Sequence, residues 1–265
     1  MTTYENEILD FRKRHEASQV ASPRNWLNLA GLFWLQKGDN FFGSDPANDI
    51  ALPSGPARAG RFHFDGRSVT LTPEAGAPLS SLNRPLRTDR DPNPDFLELD
   101  SLFLTVIQRG DNFLLRVWDT NAPAYKNFSG LNWYPIKADN HVKSRWIPYD
   151  PPRKIQTMDG IGTLEEGQFL GRAEFSLHGK ELSLQAEPSG DLMRFNFHDL
   201  TCGKTSYGAG RQVRVPRPIG DELILDFNRS QNWPCAYTNF ATCPLPPQEN
   251  KLPIPIQAGE MKFHE

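Results

Sequence analysis

Asp226–Phe227–Asn228, Asn232–Trp233–Pro234–Cys235, Ala241–Thr242–Cys243–Pro244–Leu245–Pro246–Pro247, Glu249–Asn250 and Ala258–Gly259–Glu260 punctuate the C-terminal stretch of the chain. Proline fixes φ and removes a backbone donor, so a run this rich in it is stiff and extended. With two cysteines and several acid and amide side chains aboard, it reads as an arm laid against a folded body. Working back from Asp226, apolar stretches at 223–227, 212–215, 192–198, 182–186, 169–177, 155–158 and 145–148 alternate with turn signals. The turns are Ile219–Gly220–Asp221, Ser189–Gly190–Asp191, His178–Gly179 and Asp159–Gly160. Many short strands at this spacing predict an antiparallel β-barrel or sandwich. No strand–helix alternation appears, which argues against a doubly wound sheet.

Between residues 119 and 141 the periodicity lapses, which places a domain junction there: 1–125 and 126–265. The N-terminal part opens with a helix over 5–18, where Ile8, Phe11 and His15 recur at helical spacing, and Ser22–Pro23 stops it. The apolar block at 26–35 fits a buried strand or a short packed helix. Phe62 and Phe64, Asp65–Gly66, then Val69 and Leu71 predict a hairpin with a type I′ turn. A second hairpin joins 102–108 to 113–118 through Arg109–Gly110–Asp111–Asn112, where the adhesion-like tripeptide is simply a turn. The chain is thus expected to be mostly β, a helix and β-sandwich followed by an antiparallel barrel or sandwich with a proline-rich arm.

Composition bounds function. The 265 residues carry a formal net charge of −3, so no global basic field favours nucleic acid or an anionic membrane. Met1 to Asp10 is polar and lacks the apolar segment of a secretory signal, and no apolar run reaches the roughly 20 residues of a membrane span. A cytoplasmic protein is expected. Its three cysteines are then expected to be reduced, with Cys235 and Cys243 as buried structural thiols; a disulfide between them or a nucleophilic role are the alternatives. Histidines stand singly, with no His-x-x-x-His or Cys-x-x-Cys spacing, so neither metal nor other cofactor is expected. Asn127–Phe128–Ser129 has no bearing on a cytoplasmic chain as a glycosylation sequon. Gly203–Lys204–Thr205 mimics a phosphate loop, but His198 stands where its first glycine belongs and no helix can follow.

The remaining chemistry is a polar set: Asp199, Thr201, Tyr207, Arg211, Asp226, Asn228, Glu249, Asn250 and Glu260, with Arg116 and Arg145 at strand ends. At a barrel mouth these would form a small-molecule site for an anionic or hydroxylated ligand, since guanidinium binds carboxylate or phosphate bidentately. Arg211, assisted by Arg145, would hold the negative group. Asp226 or Glu249 would serve proton transfer, Asn228 and Asn250 would orient the ligand, and Tyr207 would donate its hydroxyl. The plainer alternative is that these groups tie the arm down through buried hydrogen bonds and ion pairs. A competing function is a non-catalytic scaffold whose N-terminal sandwich meets a protein partner. The residue types leave enzyme status open.

Residues 42–118 resemble a forkhead-associated domain at Phe42–Gly43–Ser44–Asp45, Asn48–Asp49–Ile50–Ala51–Leu52–Pro53, Arg58, Asn83 and the closing hairpin. That implies a β-sandwich. Ser44, Ala57 and Gly60 occupy the positions of that family's phosphate-gripping arginine, serine and histidine, so the likeness is one of fold and not of phosphothreonine binding. From Leu192 to Glu260 the chain resembles the bacterial and archaeal family of unknown function DUF1684. The likeness rests on Phe197-x-Asp199-x-Thr201, Tyr207–Gly208–Ala209–Gly210–Arg211, Asp226–Phe227–Asn228, Pro234–Cys235–Ala236 and the arm motifs quoted above. The block at 26–35 fits too, while Cys202 and Ser230–Gln231–Asn232–Trp233 depart from the pattern. This resemblance implies no reaction.

Overall fold

The structure is a computed structural model that describes residues 2–263. In chain order it runs α1 (Thr3–Val20), β1 (Leu29–Trp34), β2 (Gly38–Gly43), β3 (Ile50–Ala51), β4 (Gly60–Phe64), β5 (Val69–Pro73), β6 (Leu97–Leu99), β7 (Leu102–Arg109), β8 (Asn112–Asp119) and α2 (Pro123–Lys126). It continues with β9 (His141–Met158), β10 (Leu164–Leu177), β11 (Lys180–Ser189), β12 (Leu192–Phe197), β13 (Arg211–Pro216), β14 (Glu222–Asp226) and β15 (Gln231–Asn232). The chain is mostly β, as its periodicity predicts. It divides into two compact units.

The N-terminal unit takes in residues 19–128 and 238–241. Two four-stranded sheets, ordered β1-β8-β7-β6 and β3-β2-β4-β5, share one core. Leu104, Val106, Leu115 and Val117 enter it from the first sheet and Phe42, Ile50, Phe62 and Leu71 from the second. Side chains alternate along a strand, so Thr105, Arg116 and Trp118 lie on the opposite face of the first sheet. The ambiguous block at 26–35 resolves into both options: a 3₁₀ turn at Trp26–Asn28 capped by Asn25, then β1. The Asp65–Gly66 connection is a four-residue loop and not a type I′ turn. The Asp65 carboxylate accepts from the backbone of Arg67 and Ser68, and only Gly66 takes a positive φ (+99°).

The C-terminal unit holds the chain up to Ser18, Ser129–Tyr237 and Thr242 onward. The helix expected at 5–18 therefore belongs with this unit, not with the N-terminal one. Its buried face follows the helical repeat through Ile8 and Arg12. Much of the helix's attachment is polar: Tyr4 donates to Asp226, Arg12 to the Tyr134 carbonyl, and Glu16 accepts from the Trp133 indole.

Of the two forms expected, barrel or sandwich, the barrel does not close: the strands form an open seven-stranded sheet, β14-β9-β10-β11-β12-β13-β15. Closure would need the first and last strands to pair, and neither partners the other. The strands expected at 145–148 and 155–158 are one long β9, whose register with β10 jumps from Pro148↔Gly171 to Arg153↔Phe169. Pro151 and Pro152 fall in that interruption, where a missing N–H cannot serve the ladder.

The arm supplies the second layer of this core. Leu252, Ile254, Ile256 and Ala258 are buried with Phe175, Phe195, Phe197 and Phe227, while Pro253, Pro255 and Gln257 face outward. That period of two is a strand's, and proline on the outward side leaves no ladder donor missing. Burying each of the two isoleucines and the leucine contributes about 1.5–3 kcal/mol. Backbone bonds seal the contact, from His198 N to Asn250 O (3.1 Å) and from Leu252 N to His198 O (2.7 Å).

Candidate functional site

Arg211, on β13, is fully buried. One terminal nitrogen donates to the carbonyls of Ala258 and Glu260. The other donates to Asp199 Oδ2 (2.8 Å), the Ile256 carbonyl (2.8 Å) and Thr201 Oγ1 (3.3 Å). Asp199 is equally enclosed, its other oxygen accepting from Thr201 N (2.8 Å) and Oγ1 (2.6 Å) and from Ile256 N (3.1 Å). Burial pushes the Asp199 carboxyl up, but the Arg211 charge and these hydrogen bonds outweigh it and hold it below the usual carboxylate value. Two glycines permit the approach. At Gly259 (φ +74°) a Cβ would stand 2.6 Å from the Ser230 carbonyl oxygen, and at Gly210 (φ +97°) 2.5 Å from that of Phe197.

Glu260, also fully buried, accepts from Asn232 N (2.9 Å), Asn232 Nδ2 (2.8 Å) and the Tyr237 hydroxyl. Burial and the Glu260 charge push the Tyr237 phenol well up. Asn250 acts as a side-chain peptide where β11 and β12 part. It accepts from Gln185 N (2.6 Å) and donates to the carbonyls of Gln185 (2.9 Å) and Asn196 (2.8 Å). Asn228 likewise exchanges hydrogen bonds with the Lys137 backbone.

The expected site therefore does not assemble as drawn. Asp226 accepts from Tyr4 (2.9 Å), Asn228 N (3.1 Å) and Arg229 Nε (3.1 Å). Glu249 sits in a half-exposed pair with Arg153. Neither is bonded to Arg211. Arg145 is exposed, its β9 position flanked in register by Glu174 and Glu222, and burial raises the Tyr207 phenol. The physical reason is that the arm brings carbonyls as well as side chains. Those carbonyls take the Arg211 donors that a ligand would need.

Cys235 and Cys243, expected as separate thiols, are joined as a disulfide with Cα atoms 6.3 Å apart. The bond departs from the reduced state that was expected of these two cysteines in a cytoplasmic protein. Cys202 is free, and burial raises its thiol, which disfavours a nucleophilic role. Among the described residues no helix is long and apolar enough to cross a membrane.

Arg116 is a buried arginine of the predicted set to which, among the described residues, no carboxylate is bonded. It is on β8, 7% exposed, and its Nε has no hydrogen-bond partner among the described residues. Its guanidinium carbon lies 5.6 Å from the Trp26 ring centre and 5.9 Å from that of Trp118. Trp118 is 6% exposed and its indole N–H is likewise unpartnered. Burial, then the Arg109 charge, lowers the Arg116 guanidinium to about 10, and the Asp89 carboxylate offsets only part of this. Beside them Arg24 stacks over Phe96 (3.7 Å), whose ring is 6.1 Å from that of Trp118. Trp26 and Trp118 escaped the sequence-based list of site residues. The alternation Leu115, Arg116, Val117, Trp118 was the available signal, because two apolar residues facing a core put the other two on the opposite face.

Residues 126–261 match the family model described as "Protein of unknown function (DUF1684)". No curated protein matches the chain. Among solved structures, the chain is similar to an uncharacterized protein from gene locus rrnAC0354 of Haloarcula marismortui, determined by solution NMR. The identity is 26%, the match covers 53% of this chain and 80% of that one, and the TM-score is 0.45.

Proposed function

We propose that this chain, which belongs to the DUF1684 family of proteins of unknown function, is a binding protein for a small anionic ligand. In this proposal Arg116 of the N-terminal unit is the anchor, and Arg211 is a structural tie. One observation carries it: among the described residues, the buried Arg116 guanidinium has an orphaned Nε and no carboxylate bonded to it. A buried cation is costly unless paired, and an anionic ligand would supply the missing partner. The carboxylates first assigned to proton transfer, Asp226 and Glu249, are engaged elsewhere, which favours binding over catalysis.

The test is a thermal-shift screen of the full chain against small organic and inorganic anions. Stabilisation that grows with ligand concentration and disappears in Arg116→Met supports the proposal. Equal shifts in both proteins, or none in either, refute it.

A second function, a scaffold that meets a protein partner, has one observation in its favour. Trp34 (44%) and Phe96 (39%) are exposed on the N-terminal unit. The forkhead-associated likeness extends to the sandwich of two sheets and not to phosphopeptide binding. Of the residues in that pattern, Arg58 stacks over Phe41 (5.1 Å) and Ser44 donates to the Gly55 carbonyl.

A further inference from the structure

Resting on the Arg116 anchor just proposed, we infer that the ligand is a singly charged organic carboxylate with an apolar, planar body, held by the Arg116 guanidinium and the Trp118 indole N–H. Three features of the face opposite the first sheet's core define this chemistry.

The first is charge. A dianionic phosphate ester needs several convergent donors or cations, as the loops of phosphate-binding folds provide. Arg109, whose charge acts on Arg116, already pairs with Asp89 at 2.7 Å, and Arg24 is stacked over the Phe96 ring at 3.7 Å. Arg84 and Arg87 are both bonded to Asp95. One buried guanidinium with no carboxylate bonded to it matches one negative charge, and a second charge would be buried without a partner.

The second is donor geometry. A guanidinium edge offers two parallel N–H groups that a carboxylate accepts side by side. The Arg116 Nε belongs to such an edge and is unpartnered. The buried Trp118 Nε1–H is a further donor that no acceptor among the described residues uses. Two orphaned donors on neighbouring side chains, each more than nine-tenths buried, are rare in a settled interior.

The third is the wall. Trp26 and Trp118 flank the guanidinium, and Phe96, half-exposed beneath Arg24, continues the aromatic surface outward. Flat rings favour a flat apolar body, whose faces gain offset or edge contacts that a hydrated inorganic anion does not make.

The experiment titrates the full chain with benzoate, benzyl alcohol and inorganic phosphate and reads binding by calorimetry and tryptophan fluorescence. Wild type is compared with Arg116→Met, Arg116→Lys and Trp118→Phe, the last removing the N–H while keeping an aromatic face. The expected result is benzoate binding at least tenfold tighter than either other probe, lost in Arg116→Met and weakened about tenfold in Trp118→Phe. Arg116→Lys keeps the charge without the edge and is expected to weaken benzoate by a similar factor. Phosphate binding as well as benzoate, with both abolished by Arg116→Met, would leave the anion anchor standing and overturn the carboxylate. Benzyl alcohol matching benzoate would also overturn the carboxylate. No probe binding, or binding indifferent to residue 116 in variants whose circular dichroism matches wild type, would overturn both.

Discussion

Replacing Arg116 with methionine should make the ligand-free protein more stable. Lowering the guanidinium from the usual 12.5 to about 10, at about 1.4 kcal/mol per pH unit, corresponds to about 3 kcal/mol of penalty on the charged form. Against this, the variant loses the stacking of the cation on Trp26 and Trp118, about 0.5–1 kcal/mol for each ring. Methionine fills much of the same volume with a flexible apolar chain, so little cavity cost is added. The net gain expected is about 1–2 kcal/mol. Urea unfolding of both proteins at neutral pH, without added anions, measures it as a higher midpoint at unchanged slope.

The pH dependence has a definite sign. A base whose folded value is lowered carries its penalty wherever it stays charged, and the penalty fades only as pH rises through about 10. The difference between variant and wild type should therefore be flat from mildly acidic to mildly alkaline pH. A variant less stable than wild type by 2 kcal/mol or more would refute the reasoning, because Arg116 would then have a stabilising partner and no need of a ligand.

Removing the charge of Asp199 in Asp199→Asn leaves Arg211 buried and unpaired, and should cost about 3–5 kcal/mol in the same assay. Because the Asp199 carboxyl is lowered in the fold, the pair's contribution is complete above the ordinary carboxylate value and is lost as pH falls through the lowered one, so an acid titration of unfolding should be shallower in the variant. The double replacement Cys235→Ser and Cys243→Ser opens a loop of sequence separation 8 and should cost about 2 kcal/mol, read as a lower thermal midpoint under non-reducing conditions. Glu249→Gln breaks only the half-exposed pair with Arg153; a stability change under about 0.5 kcal/mol and unaltered anion binding are expected.

Much of this fold was legible because apolar periodicity is local. Ile8 and its neighbours at helical spacing marked α1, and the turn glycines bounded the strands. Sheet closure was not legible, since it depends on which distant edges pair, and β14 and β15 carry no signal that they stay apart. Arg211 illustrates the limit for sites. Its contact with the arm followed from the stiffness of the proline run, but its chief acceptors are the carbonyls of Ile256, Ala258 and Glu260, and every residue has a carbonyl. Asp226 and Glu249 were grouped with it as acids on neighbouring motifs, although nothing in residue type fixes which arginine an acid will meet. Arg116 was found as a strand-end arginine. That it lacks a partner comes from the packing of Trp26 and Trp118, which no spacing rule reports.

The most direct measurement follows the arginine side chains themselves. In a side-chain ¹H–¹⁵N spectrum of the full chain, the Arg116 Nε–H resonance is identified by its loss in Arg116→Met and then followed through a benzoate titration. The account predicts that this resonance shifts in step with the added benzoate, while the signal of the enclosed Arg211 stays in place. A stationary Arg116 signal, or a shift at Arg211 instead, would contradict the assignment of one arginine to the ligand and the other to the fold.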